Sequence, residues 1–395
     1  MNKAILDKEV QHYLRAHLAT SPADLALRKS PFPMVNAPEL ASQLDGLKRS
    51  QKKLPLWFDT PGIYFPSLLA MEQASSERTA QYKSALIAKE STLIDLTAGF
   101  GVDSYYFSKR AKKVVHCEQN SELAQIAAYN HHLLGADHIE VINGDGLAYL
   151  AASAQKFDVA YIDPSRRVKQ QKVFRLQDCE PDILLHLPLL LSKAEQIIIK
   201  AAPLLDIKGA LALLPLVSDV YILSIQNECK EILFVLNATF QGMVHFHGIA
   251  LEPNGVAASI TFTTAQEQAC TPSYHRPQQY LYEPDAALLK AGCFKFIACH
   301  YALAKLHPHT HLYTADYVNE SFIGRCFEIT KVQSYADFKK HTPPLQANVA
   351  TRNFPLKPDQ LKKKHKIKDG GTDYLFFCTA PNTELLVLFC QKIKL

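Results

Sequence analysis

Acidic side chains follow four successive apolar stretches, and two glycines stand beside the first of these acids. Residues Asp95–Gly101 read DLTAGFG, and the later acids are Glu118, Asp145 and Asp163. Glycines at this spacing let the backbone approach a ligand closely, because no Cβ intervenes. Carboxylates accept hydrogen bonds from hydroxyl and amino groups. The pattern therefore predicts a site for a small ligand that carries such groups.

Asp95 distinguishes between two classes of nucleotide ligand. A dinucleotide such as NAD places its pyrophosphate at the start of the helix that follows the glycines, and the usual third glycine of that fingerprint is replaced here by Ser104. A carboxylate at the strand end repels pyrophosphate but suits an ammonium group. S-adenosylmethionine (SAM), which joins adenosine to a sulfonium and an amino acid, carries that group. Glu118 is expected to accept hydrogen bonds from the ribose hydroxyls and Asp145 from the adenine amino group.

These residues need a parallel sheet to bring them together. Short apolar runs alternate with amphipathic segments from residue 91 onward, which indicates successive strands and helices. The predicted strands are Thr92–Leu96, Lys113–Cys117, Ile139–Ile142, Phe157–Ile162, Gln196–Ala201, Val220–Ile225 and Ile232–Leu236. Such apolar strands with helices between them predict an open α/β sheet, Rossmann-like and covered on both faces. Its carboxyl edge would gather the four acids. The alternative is that each acid only caps the helix that follows it.

The rest of the chain divides by composition. Residues 1–88 are predicted to be helical, and residues 89–265 to form the nucleotide-binding domain. A polar, proline-bearing stretch from Gln266 to Pro284 is typical of a linker. Two small α+β units are expected at residues 285–325 and 326–395, and the second ends in a hairpin.

Composition excludes several other classes of protein. The chain has 395 residues, a formal net charge of +5 and nine cysteines, none of them in a C-x-x-C pair, which argues against a disulfide framework or zinc ribbon. The charged N-terminus is unlike a signal peptide. The most apolar stretch, Ile183–Leu191, contains His186 and Pro188 and is too short to span a membrane. We therefore expect a cytoplasmic enzyme that makes no contact with membranes.

The order of these motifs resembles the class I SAM-dependent methyltransferases over about residues 89–240. More narrowly, the chain resembles a group of bacterial methyltransferases that add a ferredoxin-like unit and a C-terminal THUMP-like domain. The segments that carry this closer resemblance are Ser75–Lys83, Asp163–Arg167, Leu306–Thr314, Thr351–Leu356 and Lys368–Gly371. The resemblance implies a seven-stranded sheet, a ferredoxin-like unit at 285–325 and a basic THUMP-like domain at 326–395. It also implies a SAM site, whose residues are Asp95, Thr97, Gly99, Gly101, Glu118 and Asp145.

The segment Asp163-Pro164-Ser165-Arg166 is the expected catalytic edge. Related enzymes that methylate exocyclic amines of bases hold the amine with an Asp or Asn and stack an aromatic residue on the flipped-out base. Asp163 and Pro164 retain the first half of that pattern, whereas Ser165 and Arg166 replace the second. An Arg plane stacks on a base or binds a phosphate. N-methylation of a base is therefore a hypothesis in which the amine-holding role of Asp163 transfers best.

Basic residues indicate where a polyanion would bind. One cluster follows the catalytic edge and includes Arg167 and Lys169, and another comprises Lys362, Lys363, Lys364 and Lys366. Beside a methyltransferase core these clusters favour RNA as the partner, in line with the THUMP-like resemblance. Alone, the lysine run is as typical of a solvated helix face.

Two functions of other classes stay open: an RNA-binding module that has kept the fold without catalysis, and a methyltransferase that acts on a protein or small molecule. No metal site is expected. His307, His309 and His311 alternate as residues on one strand face would, but Pro308 interrupts regular pairing there.

Overall fold

The structure, a computed structural model, describes residues 1–166, 176–252, 255, 257–340 and 345–394. It contains two compact units: residues 1–218 with 233–241, and residues 219–232 with 242–395. The predicted RNA-binding residues Arg167 and Lys169 lie outside the described residues. Within those residues, none of the helices combines the length and apolar character needed to cross a bilayer.

The N-terminal region is helical. The α3 helix is the longest there, and Asn36 starts it by accepting a hydrogen bond from the Glu39 amide while the Glu39 side chain accepts one from the Asn36 amide. This helix buries Leu40, Leu44 and Leu47. The helices are α1 (Lys8–Ala16), α2 (Pro22–Ala26), α3 (Ala37–Lys53), α4 (Pro55–Asp59), α5 (Leu68–Gln73) and α6 (Glu77–Ser84), after a 3-10 turn at Lys3–Leu6.

The first unit also contains the predicted parallel sheet. Its strands are β1 (Thr92–Asp95), β2 (Lys113–Glu118), β3 (Ile139–Asn143), β4 (Phe157–Ile162) and β7 (Ala194–Ala201), with a short antiparallel pair, β5 (Ser165–Arg166) and β6 (Cys179–Glu180). Parallel pairing joins β1 to β2 and β4, β2 to β3, and β4 to β7. Between the strands lie α7 (Val102–Ser108), α8 (Ser121–Leu133), α9 (Gly146–Ala152) and α10 (Ile183–Lys193), and α11 (Ile207–Leu211) follows β7. The open α/β fold is confirmed, and it brings the ends of β1, β2, β3 and β4 to one edge.

The remaining predicted strands are also present. They are β8 (Val217–Ile225) and β9 (Glu228–Asn237), and the extended stretch after them forms β10 (His245–Leu251) and β11 (Ala257–Thr263). The hydrogen-bonded order is β11-β10-β8-β9-β7-β4-β1-β2-β3. In the part of the chain that the structure describes, this sheet thus contains nine strands: the seven that were predicted, and β10 and β11.

The C-terminal part is built on a second sheet. Its strands are β12 (Tyr280–Pro284), β13 (Ala304–Lys305), β14 (Tyr313–Ala315), β15 (Gly324–Ser334), β16 (Asn348–Arg352), β17 (Asp373–Thr379) and β18 (Leu385–Ile393), in the order β13-β14-β12-β15-β18-β17-β16. The helices are α12 (Thr264–Ala269), α13 (Ala286–Ala291), α14 (Phe294–His300), α15 (Tyr335–Lys340) and α16 (Pro358–His365). Since β15 pairs with both β12 and β18, one sheet passes through both of the small units expected from the sequence.

The predicted linker differs from the structure at both ends. The segment Gln266–Pro284 contains most of α12 and all of β12. Leu281 and Tyr282 on β12 are fully buried between neighbouring strands. The residues before them are polar and include prolines, so the sequence pattern did not predict this short central strand.

Candidate active site

Asp95 lies beneath the glycine loop. It ends β1, has no exposed surface, and accepts hydrogen bonds from the Ser104 hydroxyl (2.7 Å) and the Thr97 amide (3.3 Å). The pKa of Asp95 is raised to about 7, chiefly by burial and also by the nearby carboxylates of Asp103 and Asp163, although the hydrogen bonds from Ser104 and Thr97 lower it. In the structure the buried Asp95 carboxyl stabilises the loop through these two hydrogen bonds. The sequence predicted that it would contact a ligand ammonium at the open edge of the sheet.

The two loop glycines have different surroundings. Gly99 has φ +59°, and the one atom of the described residues within 4 Å of a Cβ built on it is the Thr97 carbonyl oxygen, 4.0 Å away. Gly101 has φ +83°, and a Cβ there would lie 2.6 Å from His131 Nε2 and 3.0 Å from His116 Cε1. Burial lowers the pKa of both histidines, so this pair is neutral at pH 7. Gly99 therefore gives the loop an open face, whereas Gly101 is required by packing against buried rings.

Glu118 and Asp145 lie around the same loop. Glu118 accepts hydrogen bonds from the Gly99 amide (3.0 Å) and the Asn120 amide (2.6 Å). Asp145 is exposed, caps α9 by accepting from the Ala148 amide (2.9 Å), and accepts from Gln119 Nε2 (2.8 Å). Asp145 thus caps a helix, as the alternative interpretation expected, and it also lies at the sheet edge after β3.

Gly146 explains why the Asp145 segment approaches the first strand so closely. A Cβ on Gly146 would lie 2.4 Å from the carbonyl oxygen of Leu96. No side chain fits in that space, so the segment after β3 packs directly on the end of β1. No role for Gly146 was predicted from the sequence.

Asp163 is joined to the glycine loop and to a lysine that sequence reasoning missed. Its amide donates to the Thr97 hydroxyl (2.7 Å), and its carboxylate oxygen Oδ2 lies 2.5 Å from Lys200 Nζ. The side chains of Asp163 and Lys200 are 31% and 13% exposed. Lys200 follows Ile197–Ile199 on β7, and a lysine within so apolar a strand was the available signal.

The other predicted catalytic residues continue from Asp163. Pro164 is half-buried and Ser165 is exposed. The Ser165 hydroxyl donates to the Glu180 carbonyl (3.2 Å), and Arg166 is paired through its backbone with Cys179. The structure therefore places the whole predicted catalytic segment at the carboxyl edge of β4.

A buried ion pair supports the site from behind. Lys83 Nζ lies 2.9 Å from Asp103 Oδ1 and donates to the hydroxyls of Ser75 (2.7 Å) and Tyr161 (3.2 Å). Both hydroxyls donate in turn to Asp103 Oδ2, at 2.7 and 2.9 Å. Although burial opposes ionisation, Lys83 and then Lys200 hold the pKa of Asp103 below its usual value. This network joins α6, α7 and β4, and the sequence analysis did not identify it.

The four lysines predicted to contact RNA lie on α16 or directly after it. Lys362 forms ion pairs with Asp359 (3.1 Å) and Asp369 (3.5 Å), and Lys364 Nζ lies 5.9 Å from the centre of the Tyr335 ring. Lys363 on α16 and Lys366 directly after it are exposed, as is Lys364. As candidate phosphate contacts, Lys363 and Lys366 are better placed than Lys362, which is already paired.

The three alternating histidines form separate contacts. His307 Nδ1 lies 3.2 Å from Asn353 Nδ2, and the His311 ring stacks on Phe294 with their centres 3.6 Å apart. In the part of the chain that the structure describes, no group of three or more His, Cys, Asp or Glu side chains is arranged to hold a metal ion.

Comparison with known proteins gives the family. Residues 280–322 match a ferredoxin-like domain and residues 324–392 a THUMP domain-like family. The crystal structure of a putative methyltransferase from Porphyromonas gingivalis W83 superposes with a TM-score of 0.86 and 30% identity, over 99% of both chains. An rRNA methylase from Streptococcus thermophilus overlaps 41% of this chain and 93% of its own, at 17% identity and a TM-score of 0.30.

A further match is shorter. An uncharacterized protein of Methanothermobacter thermautotrophicus is 33% identical over 93 residues, which are 22% of this chain and span 37% of that protein. The full-length likeness to the Porphyromonas protein, together with the two domain matches, confirms the predicted family. The chain belongs to the methyltransferase family in which a class I methyltransferase fold is joined to ferredoxin-like and THUMP-like domains.

Proposed function

We propose that this protein is a cytoplasmic, SAM-dependent methyltransferase that N-methylates a base in RNA. The observation that carries the proposal is that Glu118 and Asp163 are both hydrogen-bonded to the Thr97–Gly99 loop, at the carboxyl ends of parallel strands. Asp145 lies at the same edge, since the residue after it packs against Leu96 at the end of β1. Open α/β sheets bind ligands at this edge. Because the chain belongs to a methyltransferase family, we expect methyl transfer to take place at this edge.

The residues at the edge fit SAM in their donors, acceptors and charge. Gly99 leaves the face of the loop open. Each carboxylate oxygen accepts more than one hydrogen bond, so Glu118 and Asp145 retain acceptor capacity for ribose hydroxyls and the adenine amino group. Asp95 has a raised pKa, and a cationic ligand above the loop would stabilise its charged form. These acidic groups suit a sulfonium and ammonium, and a pyrophosphate would be repelled.

The protein's own residues would position and polarise the reactants. When bound, SAM supplies an electrophilic methyl group. Asp163, held by Thr97 and Lys200, would orient the acceptor nitrogen with its carboxylate. Orientation of two reactants is worth roughly 7–11 kcal/mol of barrier in favourable cases. Pro164, Ser165 and Arg166 would line the approach of the base.

The C-terminal part supports RNA as the substrate. Residues 324–392 match a THUMP domain-like family, and Lys363 on α16 and Lys366 directly after it are exposed. Exposed lysines that contact phosphates bind RNA in a salt-dependent manner. We propose that these two lysines track the RNA backbone, together with Arg167 and Lys169. The division into residues 1–88, 89–265, 285–325 and 326–395 stays a prediction.

The experiment that tests the proposal separates cofactor binding from catalysis. Calorimetry measures SAM binding, and transfer of a tritiated methyl group to RNA from a strain lacking the gene measures activity. We expect Asp163→Asn to abolish transfer while the dissociation constant for SAM stays within about threefold of the wild-type value. Asp137→Asn, at an exposed carboxylate paired with His132, is the matched control and should behave as wild type.

Three outcomes of this experiment would contradict the proposal. Absence of SAM binding would remove the methyltransferase reading. Binding without transfer to any RNA would favour an RNA-binding module, and transfer that persists after ribonuclease treatment would point to a protein or small-molecule substrate.

A further inference from the structure

The buried carboxylate of Asp103 lies on α7, the helix that follows the glycine loop. Its Oδ2 accepts hydrogen bonds from the hydroxyls of Ser75 (2.7 Å) and Tyr161 (2.9 Å), and its Oδ1 lies 2.9 Å from Lys83 Nζ. The Tyr161 ring also packs edge-on against Phe107 of the same helix, with the ring centres 5.1 Å apart. Helix α7 therefore fixes Tyr161 both by packing and by a hydrogen bond to a charged acceptor.

The strand β4 carries this network toward the catalytic edge. Tyr161 lies two residues before Asp163, and residues at this spacing leave a strand on the same face. Strand β7 pairs with β4 in parallel and contributes Lys200, whose Nζ lies 2.5 Å from Asp163 Oδ2. The charge of Lys200 also helps Lys83 to hold the pKa of Asp103 below its usual value. Lys200 is therefore close to two carboxylates, one buried and one at the edge.

Stability alone does not explain a buried ion pair at this position. The transfer of two charges out of water costs free energy, and apolar residues of similar volume often give equal or greater stability. Apolar packing would lack the directional contacts that Asp103 makes. The carboxylate gives the Tyr161 hydroxyl a fixed acceptor and attracts the Lys200 ammonium. Both of these groups adjoin Asp163.

We propose that Asp103 is a positioning residue for methyl transfer, which fixes the Asp163 carboxylate through Tyr161 and Lys200. The inference rests on the proposed function and adds to it a residue that does not touch the reactants. Asp163 directly follows β4 and is 31% exposed, so its orientation depends on its neighbours. The rate of a transfer step depends steeply on alignment, and a displacement of about 1 Å can cost about 100-fold.

The inference also assigns a part in catalysis to the N-terminal helical region. Ser75 directly precedes the Ser76 that caps α6, and Lys83 lies within α6. Both side chains hold the Asp103 carboxylate. This region therefore supports the catalytic edge from outside the parallel sheet.

Replacement of the whole buried pair by apolar residues tests the proposal. The double variant Lys83→Met/Asp103→Leu leaves no unpaired buried charge, so its melting temperature should stay within about 4 °C of the wild-type value. Transfer of a tritiated methyl group from SAM to RNA from a strain lacking the gene measures kcat and KM, and calorimetry measures SAM binding. We expect kcat to fall about 10–100-fold, whereas KM for RNA and the dissociation constant for SAM stay within about threefold.

A matched control makes the same kind of change at an exposed ion pair. Lys113→Met/Glu140→Leu removes a pair whose side chains are 41% and 45% exposed, and kcat, KM and SAM binding should remain at their wild-type values. A second variant, Tyr161→Phe, removes only the oxygen that donates to Asp103. It should lower kcat at least about threefold without weakening SAM binding, and it tests the proposal even if the double variant does not fold.

Four results would overturn the inference. A folded double variant that transfers methyl groups at the wild-type rate would show that the network is only structural. A wild-type kcat in Tyr161→Phe would exclude Tyr161 as the link to Asp163. A loss of SAM affinity as large as the loss of rate would show that the network supports the cofactor loop instead. These three results leave the proposed function intact, whereas absence of transfer to RNA by the wild-type enzyme would overturn the proposed function together with the inference.

Discussion

The buried ion pair between Lys83 and Asp103 should contribute far more to stability than an exposed pair of similar length. Lys83 has no exposed side-chain surface and Asp103 has 9%. Lys83→Met leaves a buried carboxylate whose nearest remaining donors are the Ser75 and Tyr161 hydroxyls. Breaking a buried pair by removing one partner costs about 3–5 kcal/mol. For a unit of this size each kcal/mol lowers the melting temperature by roughly 2–4 °C, so we expect a fall of roughly 6–20 °C.

An exposed ion pair between β2 and β3 provides the control. Lys113 lies 3.0 Å from Glu140, and these side chains are 41% and 45% exposed. Such exposed pairs contribute about 0–1 kcal/mol, so Lys113→Met should change the melting temperature by no more than about 4 °C. Scanning calorimetry and urea titration of both variants measure the difference. If Lys83→Met is no more destabilising than Lys113→Met, the reasoning about the buried pair is wrong.

The remaining predictions concern the glycine loop, Asp95 and the basic helix. Gly135, which lies just after α8 with φ +69°, is the control for Gly101: among the described residues no atom lies within 4 Å of a Cβ built there, so Gly135→Ala should cost only the roughly 1–2 kcal/mol of a left-handed residue. Gly101→Ala should cost about 1–3 kcal/mol more because its Cβ meets buried histidines; equal urea midpoints would contradict this. The pKa of Asp95 is about 7 in the folded protein, against a reference value of 3.8. Between these pH values the folded protein therefore binds more protons than the unfolded chain, and its stability falls as pH rises, by at most about 4 kcal/mol in all. Asp95→Asn should not show this loss, so its stability relative to wild type should be greater at pH 8 than at pH 5; a difference that does not change with pH would refute the raised pKa of Asp95. Replacing Lys363 and Lys366 by Gln should lower the slope of log binding constant against log salt by about 0.7 per lost phosphate contact, and an unchanged slope would leave them without a role in RNA binding.

The sheet was predictable from sequence because its signals are local. Apolar runs bounded by turns gave β1 to β4 within a residue or so at each end, and parallel connection then required that the acids after them share an edge. Asp163 and Glu118 lie where that argument places them. By contrast, the pattern of apolar residues along one strand does not show which distant side chain forms an ion pair with a residue of that strand.

The residues that were missed depend on tertiary contacts. Lys200 pairs with Asp163, 37 positions earlier in the chain, and Lys83 pairs with Asp103, 20 positions later. The spacing of residues in a sequence does not predict contacts over such separations. Asp95 illustrates the same limit in another way, since its position at the end of β1 was predictable but its complete burial beneath the loop was not. The sequence predicted Gly101 as a cofactor contact, which stays a prediction. It could not show that a Cβ at Gly101 would collide with His131 on α8.

The β12 strand shows how a short central strand escapes detection. It is only five residues long, and the segment before it is polar and contains prolines. Its neighbours β14 and β15 come later in the chain. The sequence therefore indicated a linker where the structure has the strand that unites the C-terminal sheet.

The central claim is that the carboxyl edge of β1, β2 and β3 binds SAM, and calorimetry on two carboxylate variants tests it most directly. Glu118→Ala removes the acceptor expected to hold the ribose, whereas Glu140→Ala removes an exposed carboxylate on β3 that pairs with Lys113. A hydrogen bond to a charged group is worth about 1.5–3 kcal/mol, so Glu118→Ala should weaken SAM binding by about 10–100-fold, while Glu140→Ala stays within about threefold of wild type. Absence of binding by the wild-type protein, or equal affinities for the two variants, would contradict the account.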